Sequence, residues 1–182
     1  MKKRRYRNYI FFYICLKYIL NDYFFQIIHI ISFFKIQFNE VIYISIVAYN
    51  ENEVKLLARL MRAEAEGEGE LGMLMVGNVG INRVLANCLD FKDIRTIEQM
   101  VFQRPGGFES TLYSYFYQPA RQVDIRLARR SIKGERYDPA TRALWFYSTP
   151  TPGCQPTWFN QWNSGKYKSH CFYAPVESYN CY

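Results

Sequence analysis

The chain has 182 residues, enough for one domain with a proper core and too few for two of ordinary size. Its formal charge is +7, but Lys and Arg are scattered and cluster only at Lys2-Lys3-Arg4-Arg5, which argues against nucleic acid as a partner. Aromatic residues make up 18% of the chain, a content that serves a core and also suits the apolar faces of sugar rings.

Residues 1–45 are rich in Phe, Ile, Tyr, Lys and Asn and hold no Gly, Ala, Pro, Thr or Trp, whereas the remainder has ordinary globular composition. A basic start followed by the apolar run 9–20, extended by 24–34, resembles a signal peptide or membrane anchor. Lys17, Asn21, Asp22, His29 and Lys35 interrupt these runs, so none reaches the roughly 18 to 20 clean residues of a spanning helix. No small-residue cleavage site follows them. The dominance of residues with AT-rich codons fits a third origin, translation of an upstream non-coding region in a low-GC genome, and this origin is favoured over an anchor. The expectation is that residues 1–45 stand apart from a catalytic domain over 46–182, and that a membrane is a partner only if the extension is genuine.

The folded part opens with Asn50 or Asn52 as the cap of a helix over about 53–66, with Glu51 and Glu53 near its positive end. Gly67 and Gly69 break it. A second helix over 71–85 carries Leu74, Met75, Val79 and Ile81, with Gly72, Gly77 and Gly80 interspersed. Glycines cost stability inside a helix, so their repetition predicts a neighbouring backbone packed close. A short helix over 96–102 ends in the turn Arg104-Pro105-Gly106-Gly107, and a longer one over 118–133 ends at Gly134. Residues 143–147 form a β-prone run, and the tail 152–182 reads as loop and strand. Helices first and a small β element afterwards give an α+β fold. The five cysteines show no CxxC pair or zinc-like spacing, which argues against a structural zinc site. Three of them, Cys154, Cys171 and Cys181, crowd the tail and leave disulfide formation or cross-linking open in an oxidising extracellular layer.

One position on the first helix points to chemistry. Leu57, Leu60, Met61 and Glu64 recur at helical spacing, so an apolar stripe ends in a carboxylate. Desolvation there disfavours the charged form and raises the pKa, as a general acid near neutral pH requires. The plain alternative is a helix-end carboxylate turned to solvent. Glu68 is the neighbouring candidate for a second carboxylate, facing the same way if the helix continues past Gly67. The stretch Glu64, Glu66, Glu68 and Glu70 could hold calcium, or form a solvated turn. His170 beside Cys171 could suggest a Cys/His nucleophile, although adjacent side chains in a strand point apart.

Four blocks, in order, resemble the SleB/CwlJ family of spore cortex-lytic cell-wall hydrolases, with the first nearest the CwlJ branch. They are Glu64-Ala65-Glu66-Gly67-Glu68 with the following Asn82-Arg83-Val84; Phe102-Gln103-Arg104-Pro105-Gly106-Gly107-Phe108; Asp138-Pro139 leading to Ala143-Leu144-Trp145-Phe146-Tyr147; and His170-Cys171-Phe172-Tyr173. Residues 1–45 have no counterpart in this pattern, and members of that branch are similar in starting near residue 46. The position between Ala65 and Gly67 is often basic in the SleB branch and is Glu66 here.

The resemblance implies a mainly helical lysozyme or lytic-transglycosylase-like domain that cleaves the glycan strands of spore-cortex peptidoglycan during germination. Glu64 then takes the place of the catalytic acid. With one carboxylate the family route is lytic transglycosylation, in which the muramoyl 6-hydroxyl attacks the anomeric carbon. Ordinary hydrolysis instead wants two carboxylates, about 5 Å or about 6.5 to 9.5 Å apart. Asn82, Phe108, Tyr147 and His170 are the expected substrate contacts. No cofactor is required, calcium dipicolinate is a conceivable activator, and a spore-coat partner protein is expected. The branch's members are similar in being made in the mother cell and deposited at the boundary of coat and cortex, without a classical signal peptide. Two rivals remain: a peptidoglycan amidase or peptidase using Cys171 and His170, and a non-catalytic coat protein that binds peptidoglycan.

Overall fold

The computed structural model describes residues 44–182. The expectations about the N-terminal extension therefore lie outside the described residues, but for its last two positions. Helix α1 (Glu51–Ala65) begins at Asn50, whose side chain accepts from the backbone N–H groups of Asn52 and Glu53 while the Glu53 carboxylate accepts from Asn50 N–H. Three otherwise orphaned donors are satisfied in this way. A single 3-10 turn (Glu66–Glu68) joins α1 to α2 (Gly69–Leu85), so the expected break at Gly67 and Gly69 is a change of direction without a loop. The bend falls at Ala65, with φ −144°, and at Gly69, with φ +81°.

Helix α3 (Ile97–Val101) is capped by Thr96 with Gln99, and α4 (Gln122–Ile132) starts after Arg121. The sequence places the start of α4 at 118. Pro119 disfavours helical backbone at the residue before it, and Gln118 is accordingly extended with ψ +147°. Four antiparallel strands follow: β1 (Trp145–Ser148), β2 (Thr157–Trp158), β3 (Gln161–Tyr167) and β4 (His170–Ala174), in the spatial order β1-β4-β3-β2. The fold is α+β, with the small sheet set after the helices. No helix among the described residues is long and apolar enough to cross a membrane.

The main core lies between α1, α2, α3 and α4, where Leu57, Leu60, Met61, Ile81, Ile97, Met100, Leu127 and Ile132 are all buried. Each such side chain contributes about 1.5–3 kcal/mol by leaving water. A second cluster, Met75, Val79, Ala140, Ala143 and Phe172, joins α2 to the sheet. The α2 glycines do admit close neighbours, but these are side chains rather than the expected backbone. A Cβ on Gly77 would lie 2.4 Å from Ser131 Oγ of α4 and 3.0 Å from Met61 of α1. Polar side chains of α2 then fix the connection into the sheet. Asn78 donates to Glu135 O at 2.7 Å and accepts from Tyr137 N–H at 2.8 Å, and Asn82 Nδ2 donates to the carbonyls of Ala140, Thr141 and Ala143 at 3.0–3.2 Å.

Four of the five cysteines form two disulfides. Cys88–Cys181 ties the C-terminal segment to the loop after α2, and Cys154–Cys171 ties the β1–β2 connection to β4. The fifth, Cys15, lies outside the described residues.

Candidate functional site

A groove of about 930 Å³ opens where the end of α1, the middle of α2, the 103–109 turn and the sheet converge. Its lining combines Glu64 and Arg83 from the helices with Phe108, Trp145, Phe146, Tyr147, Trp158 and Phe159. The turn is built by sequence: Arg104–Pro105 is a cis bond, Gly106 has φ +82°, and a Cβ on Gly107 would lie 2.2 Å from Gln103 O. Neither glycine can be replaced without strain. The turn brings Phe108, Glu109 and Ser110 against the last turn of α1.

Glu64 closes the stripe anticipated from its spacing. Leu57, Leu60 and Met61 are wholly buried, and Glu64, one turn on, is half-buried where that face emerges into the groove. Its Oε1 accepts from the backbone N–H of Ser110 at 3.2 Å. Burial is the largest influence on the carboxyl and holds its pKa above the ordinary carboxylate value. Contacts with Ser110 and the charge of Arg83 pull the other way, and Glu109 adds to the rise. The net result is a carboxyl that keeps its proton to higher pH than a surface glutamate.

The other three carboxylates of that stretch go elsewhere. Glu66 is exposed and pairs with Arg121 at 2.5 Å and with the Tyr115 hydroxyl. Glu70 meets Arg126 at 3.4 Å. Glu68 accepts from the N–H of Ser169 at 3.3 Å and from its hydroxyl; burial raises its pKa, but those bonds outweigh it and hold it below the usual carboxylate range. The chain leaves α-helical geometry at Ala65, and Glu68, held by Ser169, is not among the residues that line the groove, so the structure does not bring it there as a second carboxylate. No group of three or more His, Cys, Asp or Glu converges as a metal site among the described residues.

The expected substrate contacts divide. Phe108, Tyr147 and His170 line the groove. Phe108 is 4% exposed and lies under the Arg83 guanidinium, 4.4 Å from its ring centre, so much of its surface is spent on packing. Tyr147 stacks on Tyr173 at 5.7 Å and meets Trp158 at 5.2 Å, forming an aromatic wall. His170 is buried against Phe146 with ring centres 5.1 Å apart, and burial lowers its pKa, which favours the neutral ring. Asn82 is 2% exposed and its amide is given to three carbonyls, a structural task in place of the expected substrate contact. Cys171 is buried and bonded to Cys154, so the Cys171/His170 nucleophile is corrected: a disulfide sulfur holds no thiolate with which to attack.

Sequence reasoning missed Ser110, Glu109, Trp158 and Phe159. Ser110 and Glu109 directly follow the recognisable turn, and that proximity was the available signal. Trp158 and Phe159 sit at a tight hairpin in which Phe159 and Asn160 both have positive φ, and Phe159 is 78% exposed at the groove rim. Short aromatic hairpins leave no periodic trace.

Comparison with known proteins places this geometry. The chain is 65% identical over 132 residues to a protein named cell wall hydrolase CwlJ from Oceanobacillus iheyensis, covering 72% of this chain and 93% of that one. It is 54% identical over 132 residues to the Bacillus subtilis protein of the same name, covering 72% and 92%. Among solved structures it is similar in fold to the catalytic domain of the Bacillus cereus SleB protein, with a TM-score of 0.56 at 24% identity over 69% of this chain and 92% of that one. The sequence pattern of the Cell Wall Hydrolase family matches residues 67–173. Together with the identity to those relatives over most of their length, this match shows that the chain belongs to the cell wall hydrolase family.

Proposed function

We propose that the protein cleaves the glycan strands of spore-cortex peptidoglycan during germination, with Glu64 as the general acid. The observation that carries this reading is a half-buried carboxyl of raised pKa, set at the wall of an aromatic groove whose volume, about 930 Å³, has room for sugar rings. Glu64 protonates the glycosidic oxygen, the bond to the anomeric carbon breaks, and the carboxylate then takes a proton from the attacking hydroxyl. With the muramoyl 6-hydroxyl as that nucleophile, one carboxylate suffices and the product carries an anhydro end. Tyr147, Trp158 and Phe159 offer ring faces to the apolar faces of the sugars, with His170 and Phe108 deeper in the groove.

Two relatives named for cell-wall hydrolysis and a more distant one named spore cortex-lytic enzyme, from Bacillus cereus and 24% identical over 110 residues, support the substrate class. The name spore cortex-lytic enzyme supports a place at the spore cortex. A position at the coat, a coat protein as partner and calcium dipicolinate as activator are further parts of the proposal, the last tested by adding it to the assay.

A hydrolytic outcome is the second reading, favoured by Glu109, a second carboxylate that lines the groove and acts electrostatically on Glu64. Incubation of the purified protein with cortex fragments, followed by product analysis, separates these outcomes. Anhydro-muramic ends support transglycosylation. Reducing ends that disappear in Glu109→Gln support hydrolysis, and binding without cleavage supports a silent coat protein. Glu64→Gln is expected to lower the lytic rate by roughly 10²-fold or more. A variant that still lyses cortex at the parent rate removes Glu64 from the mechanism.

A further inference from the structure

Arg83 is an unusual cation. It projects from α2 into the floor of the groove, is 5% exposed, and lies between two aromatic faces, 4.4 Å from the Phe108 ring centre and 5.1 Å from that of Phe91. Its Nε donates to Leu144 O at 2.8 Å and its Nη1 to Gly106 O at 3.3 Å. These acceptors are neutral, so they engage two of the guanidinium's donors without cancelling its charge. Desolvation lowers its pKa to about 10, and the acid that opposes this is Glu64. Among the described residues the other buried arginine, Arg62, by contrast lies 3.6 Å from the Asp124 carboxylate.

We propose that Arg83 is a positioning residue for the reaction, the counter-charge that stabilises the carboxylate left on Glu64 once its proton has passed to the glycosidic oxygen. The proposal rests on Glu64 being the acid. A general acid in a dry wall must hold its proton before the reaction and tolerate losing it during the reaction. Burial alone serves the first need and opposes the second, because an acid weakened too far transfers its proton poorly. A fixed positive charge beneath the groove restores the balance at the moment the negative charge appears, and its two carbonyl bonds hold it in place beforehand. When the attacking hydroxyl returns a proton to Glu64, the pair reverts to a neutral acid beside a caged cation, ready for another cycle.

The groups facing Glu64 are few. Arg83 approaches from α2, and Ser110 and Glu109 from the segment after the 103–107 turn. Asp90, Tyr147, His170 and Tyr179 are the further titratable residues on the groove wall. Of these charges Arg83 is the one that favours the ionised carboxyl, so removing it has a defined sign: the pKa of Glu64 rises.

Arg83→Met and Arg83→Lys, each first shown by thermal melting to be folded, are compared with the parent in pH profiles of kcat/KM on cortex fragments. For Arg83→Met the alkaline limb moves up by about one pH unit and the plateau falls about tenfold, whereas Arg83→Lys keeps the limb near its parent position. A lower plateau with an unmoved limb means a purely structural role and overturns the proposal. A second measurement leaves Arg83 in place: the Arg83 Nε resonance, followed by NMR against pH in the full chain, shows a step in the parent that is missing in Glu64→Gln. A parent without that step also overturns it. Full lytic activity in Glu64→Gln defeats the general-acid reading itself. Loss of activity in Glu64→Gln with no Arg83 step defeats this inference alone.

Discussion

At the scale of single residues, four glutamates at alternate positions end in four different environments, and at Glu64 burial outweighs the hydrogen bonds and charges that favour ionisation, whereas at Glu66 and Glu68 those bonds win. The cost of that burial makes a prediction about stability. A carboxyl whose folded pKa is raised binds its proton more tightly in the native than in the unfolded chain, so its effect on stability is felt as pH rises. Below the ordinary carboxylate range both states are protonated and there is no penalty. Above the raised folded value the native state carries a partly desolvated charge. Glu64→Gln should therefore melt a few degrees higher than the parent near pH 8, with the difference fading toward pH 4, in paired thermal scans. A difference independent of pH would mean that packing, and not ionisation, separates the two. Glu64 was legible in the sequence because its helix carries the stripe. Its partners were not: Ser110 comes from 46 positions away, and nothing local to either residue announces the meeting.

At the scale of elements, the cap of α1 was readable to within two positions, whereas the helix junction after it and the proline that delays α4 were not. The Asn50-x-x-Glu53 box fixes the start of α1 from four residues. The α1–α2 junction depends instead on how the two helices pack, and the condition on which Glu68 would share the face of Glu64, a helix continuing past Gly67, is not met, because the chain leaves α-helical geometry at Ala65. Asn82 was misread for a related reason: a buried amide that organises a loop and one that contacts a sugar look the same in one dimension. Its observed task predicts the outcome of Asn82→Ala. Three buried carbonyls lose their donor, costing about 2 kcal/mol in urea unfolding, with activity falling mainly through looser placement of β1. If stability holds while KM rises sharply, Asn82 touches substrate after all.

At the scale of the whole molecule, buried contacts join the helical core to the sheet, and the two disulfides fasten segments outside them: the C-terminal segment to the loop after α2, and the β1–β2 connection to β4. Cysteine crowding in the tail made disulfides readable as a possibility, but pairing depends on Cys88, which lies 93 positions before Cys181. The same separation sets an expectation for stability. Cross-linking removes disorder from the unfolded chain by an amount that grows slowly with the closed loop, about 4 to 5 kcal/mol for a span near that of Cys88–Cys181 and about 3 for one near the 17 positions of Cys154–Cys171. The double replacements Cys88→Ala with Cys181→Ala, and Cys154→Ala with Cys171→Ala, should both lower stability in urea, the first by more. Their effects on function should be ordered the other way. Cys154–Cys171 anchors the connection between β1, which carries Tyr147, and the hairpin that presents Trp158 and Phe159. Its loss should therefore raise KM for cortex fragments at temperatures where the protein remains folded, while loss of Cys88–Cys181 leaves KM unchanged. Equal KM values for both double variants would show that the aromatic wall holds its shape without the nearer disulfide.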